Sequence, residues 1–399
     1  MTNISTTQTK LEQHRAQFPA LGNKTYLNYG GQGPMPQGAM DAITQVEADI
    51  QNLGPFGNEA YAKVSEANKN LRNAIASYLQ APPETITLTE DVTVGCNIAM
   101  WGIDWRAGDH ILLSDCEHPG VIATSQEIAR RFAVEVSTCP LKETLNAGDP
   151  VTVIAENLRP QTRLVILSHV FWNTGQVLPI DKIVEVCKKN NSLVLVDAAQ
   201  SVGLLPLNLT ALGADFYAFT GHKWLCGPAG VGGLYVSPAA REKLQPTFIG
   251  LRGVVVDSHS QPVKWQPDGR RYEVSTSGTS LYVGLTQAIA IHQQWGTPEQ
   301  RYQQICRNSE YLWRKLSQLP NVKCLRTSPP ESGIVSFQLT HSQPGVHFQL
   351  VQFLETQKIL TRTIADPDCI RATVHYLTLE SELDQLIEGV QKFVNNPNS

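Results

Sequence analysis

The chain has 399 residues, 42% of them hydrophobic and 17% charged. That balance suits a folded protein with one large and one smaller core, and it excludes a disordered or fibrous chain. A net charge of −4 without any basic block argues against a nucleic-acid or anionic-membrane partner and points to a small neutral or anionic metabolite.

In chain order, the N-terminal stretch lacks the basic-then-apolar pattern of a secretory signal. The glycines of YLNYGGQGP (26–34) allow close backbone approach. Short apolar runs then alternate with helical patterns: HILLS at 110, RLVILSHV at 163, LVLVDAA at 193, DFYAFTG at 215 and VGGLYV at 231. Such alternation predicts an α/β fold with a mainly parallel sheet. In PIDKIVEVCKKNN, apolar Ile180, Ile183, Val184 and Cys187 recur at helical spacing, so this segment is the expected crossover before LVLVDAA. VGGLYV follows DFYAFTG closely enough to run antiparallel to it. Residues 250–280 show no periodicity and are expected to form a loop-rich connection.

From about residue 285 a long helical stretch is followed by a strand at GIVSFQL, a helix at VHFQLVQFLETQ, short strands around LTRTI and IRATVH, and a closing helix. The last helix carries one apolar stripe of Leu383, Leu386, Ile387, Val390 and Val394. This predicts a smaller α+β lobe. The eight cysteines are scattered with no C-x-x-C pair, and no stretch reaches the roughly 20 apolar residues that span a bilayer. A reducing cytoplasm is the expected location.

The chemistry concentrates in LVLVDAAQS and, about twenty residues later, FYAFTGHKW, where the polar residues fall at strand ends, the side of an open α/β sheet on which ligands gather. Asp197, Gln200, Thr220, His222 and Lys223 are therefore expected to converge on one crevice. Taken singly, Asp197 is a helix cap and Lys223 a solvated lysine. Taken together, a carboxylate and an amine at neighbouring strand ends suit an aldehyde cofactor, pyridoxal 5'-phosphate, held covalently by Lys223 with its ring nitrogen kept protonated by Asp197. Lys223 is then also the base for the substrate Cα proton.

DAAQS followed by TGHKW resembles the class V aminotransferase superfamily, which contains the cysteine desulfurases, and the similarity runs over nearly the whole chain. The resemblance implies the fold type I of pyridoxal-phosphate transferases, with a seven-stranded-type sheet. It implies a large cofactor-binding domain at 21–284, a small domain at 285–399, and residues 1–20 packing on the small domain. It gives Gln200 the cofactor's phenolic oxygen, and Thr220 and His222 its phosphate. In LTEDVTVGCNIAMW, Val92 and Thr93 take the phosphate-cradle positions at a helix start. His118 in SDCEHPG takes the place of the histidine stacked on the cofactor ring. HVFWNTGQVLP matches a family segment whose asparagine is shifted by one position onto Asn173, a cofactor contact. Thr276 in RRYEVSTSG matches a threonine that binds the partner subunit's phosphate, which implies a homodimer with shared active sites. Tyr29 borders the substrate.

Desulfurases of this group carry a nucleophilic cysteine on a loop between two C-terminal arginines. Here LTRTIADPDCIRATVHYL holds Arg362 and Arg371 only nine positions apart, and Cys369 lies at a strand start. The resemblance assigns the substrate α-carboxylate to Arg371 and help, or a second carboxylate, to Arg362. With the loop shortened, β-elimination from cystine or cysteine is the expected reaction. It would give pyruvate, ammonia and, from cystine, cysteine persulfide as sulfur supply for iron-sulfur assembly, with a sulfur or iron-sulfur acceptor protein as partner. The alternatives are a desulfurase or selenocysteine lyase giving alanine, and a non-catalytic sulfur-assembly scaffold. A metal site is not expected, because His118, His169 and His222 lack ligand spacing.

Overall fold

Strands buried on both faces must be apolar throughout, and LVILS, LVLVD and FYAFT meet that demand: nearly every residue in them is buried. The computed structural model describes residues 10–340 and 343–395. In chain order its first eight strands are β1 (Thr25–Tyr26), β2 (Ile86–Thr89), β3 (His110–Ser114), β4 (Glu135–Cys139), β5 (Thr162–Ser168), β6 (Leu193–Asp197), β7 (Phe216–Thr220) and β8 (Gly232–Val236). The last seven of these form one sheet in the order β2-β8-β7-β6-β5-β3-β4. Strands β3 to β7 pair in parallel, whereas β8 runs antiparallel to both β7 and β2, as the short connection to VGGLYV implied. The fold is α/β of the predicted kind.

The helix Ile180–Lys189 is the crossover between β5 and β6 and buries Ile180, Ile183, Val184 and Cys187. The two faces of the sheet close two separate cores. One contains Val165, Val194, Val196 and Tyr217, the other Leu164, Ile166, Leu195 and Phe216. This alternation along each strand is what a two-sided sheet requires.

Residues 250–280 are more ordered than expected. A hairpin of β9 (Val254–Val256) and β10 (Pro262–Trp265) stands there, with Val256, Val263 and Trp265 exposed. It leaves too little core on either face to produce a buried alternating pattern.

The remaining strands are β11 (Val322–Cys324), β12 (Ile334–Leu339), β13 (Ile359–Leu360), β14 (Arg362–Ala365) and β15 (Asp368–Thr373). Four of them build an antiparallel sheet, β11-β12-β15-β14, packed against the helices Pro298–Leu316, Val346–Thr356 and Glu380–Asn395. The N-terminal segment joins this lobe. Strand β1 pairs in parallel with β13, and Arg15 donates to both oxygens of Glu382 at 3.0 and 2.9 Å. Residues 1–9 of the expected N-terminal element lie outside the described residues. The helix Thr279–Trp295 runs across the 284/285 boundary and packs on the helices Gln37–Leu53 and Asn58–Tyr78. Among the described residues, no helix is long and apolar enough to cross a membrane.

Candidate active site

The C-terminal ends of β3, β5, β6 and β7 open into a cavity of about 350 Å³. Asp197, the last residue of β6, lines it at 5% exposure. Its Oδ1 accepts from Ala199 N–H at 2.9 Å. Burial pushes the carboxyl above the usual range, and the charge of Lys223 pulls the other way. A buried carboxylate with spare acceptor capacity suits a cationic N–H donor such as a protonated pyridine.

Lys223 follows β7 and lines the same cavity. Desolvation lowers its amine to about 8, Arg371 and Arg362 reinforce the shift, and Asp197 opposes it. At an acidity of about 8 roughly a tenth of the amine is neutral at pH 7, and the neutral form is the one that attacks an aldehyde or takes a proton.

His118 caps the helix Pro119–Phe132. Its Nδ1 accepts from Gly120 N–H at 3.2 Å, so the remaining proton of the neutral ring sits on Nε2. Partial burial lowers its pKa, and Trp172 meets it edge-on at 6.3 Å. Close to it, Val92 and Thr93 open the helix Val92–Trp101, which Asp91 caps by accepting from Val94 N–H at 2.9 Å. The first amides of that helix have no intrahelical acceptor and form an anion site. His222 lines the cavity beside them, with its Nδ1 2.6 Å from Thr220 Oγ1. Thr220 itself is buried behind His222 and reaches the cavity through it. Gln200 lines the cavity while its Nε2 donates to Gly30 O and its Oε1 accepts from Trp224 Nε1, both at 2.9 Å. One Nε2 proton remains for a ligand oxygen.

Arg362 and Arg371 are register partners across β14 and β15, and both line the cavity. Arg371 is 1% exposed, donating to Trp172 O at 2.8 Å and to Asn28 Oδ1 at 3.3 Å. Burial, and then Arg362, lower it to about 9. Arg362 is exposed. Among the described residues neither has a carboxylate within ion-pairing distance, so the two guanidinium groups present unbalanced positive charge to whatever enters. An anionic group is the natural occupant.

Two expectations are corrected. Asn173 does not line the cavity: it is buried, donates to Asp366 O at 3.0 Å, and Trp172 takes the cavity side of that turn. Tyr29 is fully buried, stacked on His375 at 4.5 Å, and it is the backbone of Gly30 and Gly31 that borders the cavity. Trp224 is fully buried, at 0% exposure. Thr276 is exposed and stands apart from its own chain's cavity, next to a cleft formed by Phe248, Val274, Ser277 and Thr93.

Sequence reading missed Glu117. This buried carboxylate accepts from Ser114 Oγ at 2.5 Å and from Ser168 N–H and Oγ at 2.8 and 2.9 Å, tying the ends of β3 and β5 together. Burial, then the nearby Asp197, push it up to about 8. Its only sequence signal is its place between Cys116 and His118 at a strand end. Among the described residues no group of His, Cys, Asp and Glu could hold a metal ion.

The family model described as aminotransferase class-V matches residues 25–383. The chain belongs to the class-V aminotransferase family. A probable cysteine desulfurase of Mycolicibacterium paratuberculosis is 28% identical over 87% of this class-V aminotransferase, which spans about half (50%) of that relative's length. A probable cysteine desulfurase of Methanothermobacter thermautotrophicus is 26% identical, with 96% of this chain and 98% of the relative covered. Among solved structures, the cystine C-S lyase C-DES in complex with its reaction product cysteine persulfide is 50% identical with a TM-score of 0.92, covering 94% of this chain and 99% of its own. A lysine-to-alanine mutant of C-DES, with glycine covalently linked to the pyridoxal-phosphate cofactor, is 49% identical with a TM-score of 0.93 over 94% of this chain and 98% of that one.

Proposed function

We propose that this class-V aminotransferase is a pyridoxal-phosphate carbon-sulfur lyase that expels a thiolate from the β-carbon of cystine or cysteine. The site residues fit the cofactor on their own chemistry. Asp197 suits a protonated ring nitrogen, the Val92–Thr93 amides with His222 suit a phosphate, and Lys223 is an amine acidic enough to join an aldehyde. When bound, the cofactor supplies a sink for the electron pair released at the substrate α-carbon.

The protein's own residues do the rest. Arg371 grips the substrate α-carboxylate with its planar fork, and Arg362 takes a second, distal carboxylate, which cystine has and cysteine lacks. Lys223 removes the Cα proton. The electrons of that C–H bond become the Cα–Cβ double bond as the Cβ–S bond breaks and sulfur leaves with its pair. Hydrolysis of the remaining fragment gives pyruvate and ammonia. Asp197 keeps the proton on the ring nitrogen throughout.

One observation carries the choice of elimination over desulfuration. Among the described residues no cysteine lines the cavity, and Cys369, the one nearest the arginines in sequence, is fully buried in β15 with its thiol pushed up to about 12 by burial. A thiol so held is neither nucleophilic nor reachable, so sulfur departs on the substrate's own fragment. From cystine that fragment is cysteine persulfide, passed to a sulfur or iron-sulfur acceptor protein in the cytoplasm.

The exposed Thr276, beside apolar Phe248, Ile249, Leu251 and Val274, fits a homodimer in which it reaches the partner's phosphate site. The lobes, 21–284 and 285–399, share the helix Thr279–Trp295 across their boundary, and residues 10–20 are the described part of the N-terminal segment. Purified protein incubated with cystine and cysteine in parallel tests the reading. Pyruvate with sulfane sulfur from cystine, undiminished in Cys369→Ala, is the expected result. Alanine as the product, lost in that variant, would replace elimination by desulfuration.

A further inference from the structure

Lys223 sits in the segment Gly221–Gly227, which belongs to neither a helix nor a strand, so nothing regular fixes its backbone. Its five leading carbonyls are nonetheless all engaged. Gly221 O accepts from Gly227 N–H at 2.9 Å, His222 O from Gly33 N–H at 2.7 Å, and Lys223 O from Cys226 N–H at 2.9 Å. The next two are taken by imidazoles: His375 Nε2 lies 3.1 Å from Trp224 O, and His292 Nε2 lies 2.8 Å from Leu225 O. Both rings are buried. Burial holds both neutral, with His292 lowered to about 3.

A carbonyl can only accept, so each Nε2 carries the ring's single proton. The direction of every further bond then follows. His292 Nδ1 is an acceptor, so Tyr376 Oη donates to it at 2.6 Å. The Tyr376 oxygen in turn accepts from His14 Nε2 at 3.1 Å, and His14 Nδ1 accepts from Gln17 Nε2 at 3.2 Å. The relay runs one way, from the N-terminal segment through Tyr376 to the carbonyl two residues beyond Lys223. His375 and Tyr376 follow the strand that bears Arg371 with only Val374 between.

We propose that His292 and His375 are positioning residues that clamp the backbone beneath Lys223, with Tyr376 and His14 setting the orientation of His292. The reach of the amine across the cavity is thereby fixed from the small lobe and the N-terminal arm. The inference rests on Lys223 being the residue that joins the cofactor and moves the proton. Packing alone does not account for the arrangement, because an apolar side chain of equal size fills the same space and leaves a buried carbonyl without a donor.

The test uses the holoenzyme in four variants: His292→Leu, His292→Gln, Tyr376→Phe and the Gln/Phe double. Four quantities are measured: kcat, KM for cystine, circular dichroism in the cofactor's absorption band, and amide hydrogen exchange of residues 221–228 with and without cofactor. His292→Leu should lower kcat about tenfold with KM within about twofold, inside the loss that a 1 Å misplacement produces. It should also change the cofactor band and speed exchange in 221–228. His292→Gln, whose amide can still donate to Leu225 O, should recover most of all three. Tyr376→Phe should cost about threefold in the native background, a modest share of that same misplacement loss, and nothing in the Gln background. Should His292→Leu not fold, the volume-preserving Gln and Phe variants decide. Unchanged kcat, band and exchange in His292→Leu, Gln as damaging as Leu, or equal Tyr376→Phe losses in both backgrounds would each overturn the clamp. Lys223→Ala is measured alongside: retained activity there would sink the assignment of Lys223, while the exchange data would still report on the clamp.

Discussion

The floor and the rim of the cavity are held in opposite ways. Asp197, Lys223 and Arg371 on the floor are deeply enclosed, and each has its ionisation pushed toward the neutral form by desolvation. Thr93, His118 and Arg362 on the rim are exposed, and Thr276, also exposed, does not line the cavity. The floor groups named here all come from one chain, and burial tunes them by desolvation. The rim is open, and its exposed groups meet what enters first. The difference teaches that chemistry and specificity sit on different parts of this fold.

If that division holds, mutations on the floor must cost the reaction more than those on the rim, which only redirect it. The largest effect is expected from Lys223→Ala, which should lower the rate of pyruvate formation about 10²- to 10⁴-fold, the span of a positioned general base, and leave a protein that loses its cofactor on gel filtration. Arg371→Lys comes next. A point charge replaces a bidentate fork, and KM should rise about 10- to 100-fold, the equivalent of a charged hydrogen bond, with kcat less affected. Arg362→Ala sharpens the comparison most. An exposed charge pair is worth about 1 kcal/mol or less, so KM for cystine should rise about fivefold and KM for cysteine stay unchanged. An equal loss for both substrates would move Arg362 from the rim to the floor. The smallest effect concerns pH. Only the neutral amine attacks an aldehyde, and desolvation lowers Lys223 to about 8. Capture of pyridoxal phosphate by the apoprotein should therefore speed up as pH rises through about 8 and level off above it, whereas an unperturbed lysine would keep accelerating to about 10.4.

The floor was also the legible part of the sequence. Apolar runs ending in Asp197 and shortly before Lys223 could be read as strand ends, and strand ends of a parallel sheet converge by topology alone. Arg362 and Arg371 were legible for a similar reason, since two short strands joined by a tight turn bring them into register. Tyr29 and Asn173 were misplaced because a side chain's direction in a turn depends on φ and ψ, which motif position does not carry. Glu117, His292 and His375 left almost no trace. Each acts chiefly through groups far off in sequence, Ser168 for Glu117, Leu225 for His292 and Trp224 for His375, and such pairings exist only once the chain has folded. The exposed hairpin at β9 and β10 was read as loop because strands without a buried face show no alternation.

Reduction of the cofactor-loaded protein with borohydride, followed by proteolysis and mass mapping, addresses the central assignment most directly. The pyridoxyl group should be found on the peptide containing Lys223 and on no other lysine. Label on a different lysine, or bound cofactor that washes out fully after reduction, would contradict it.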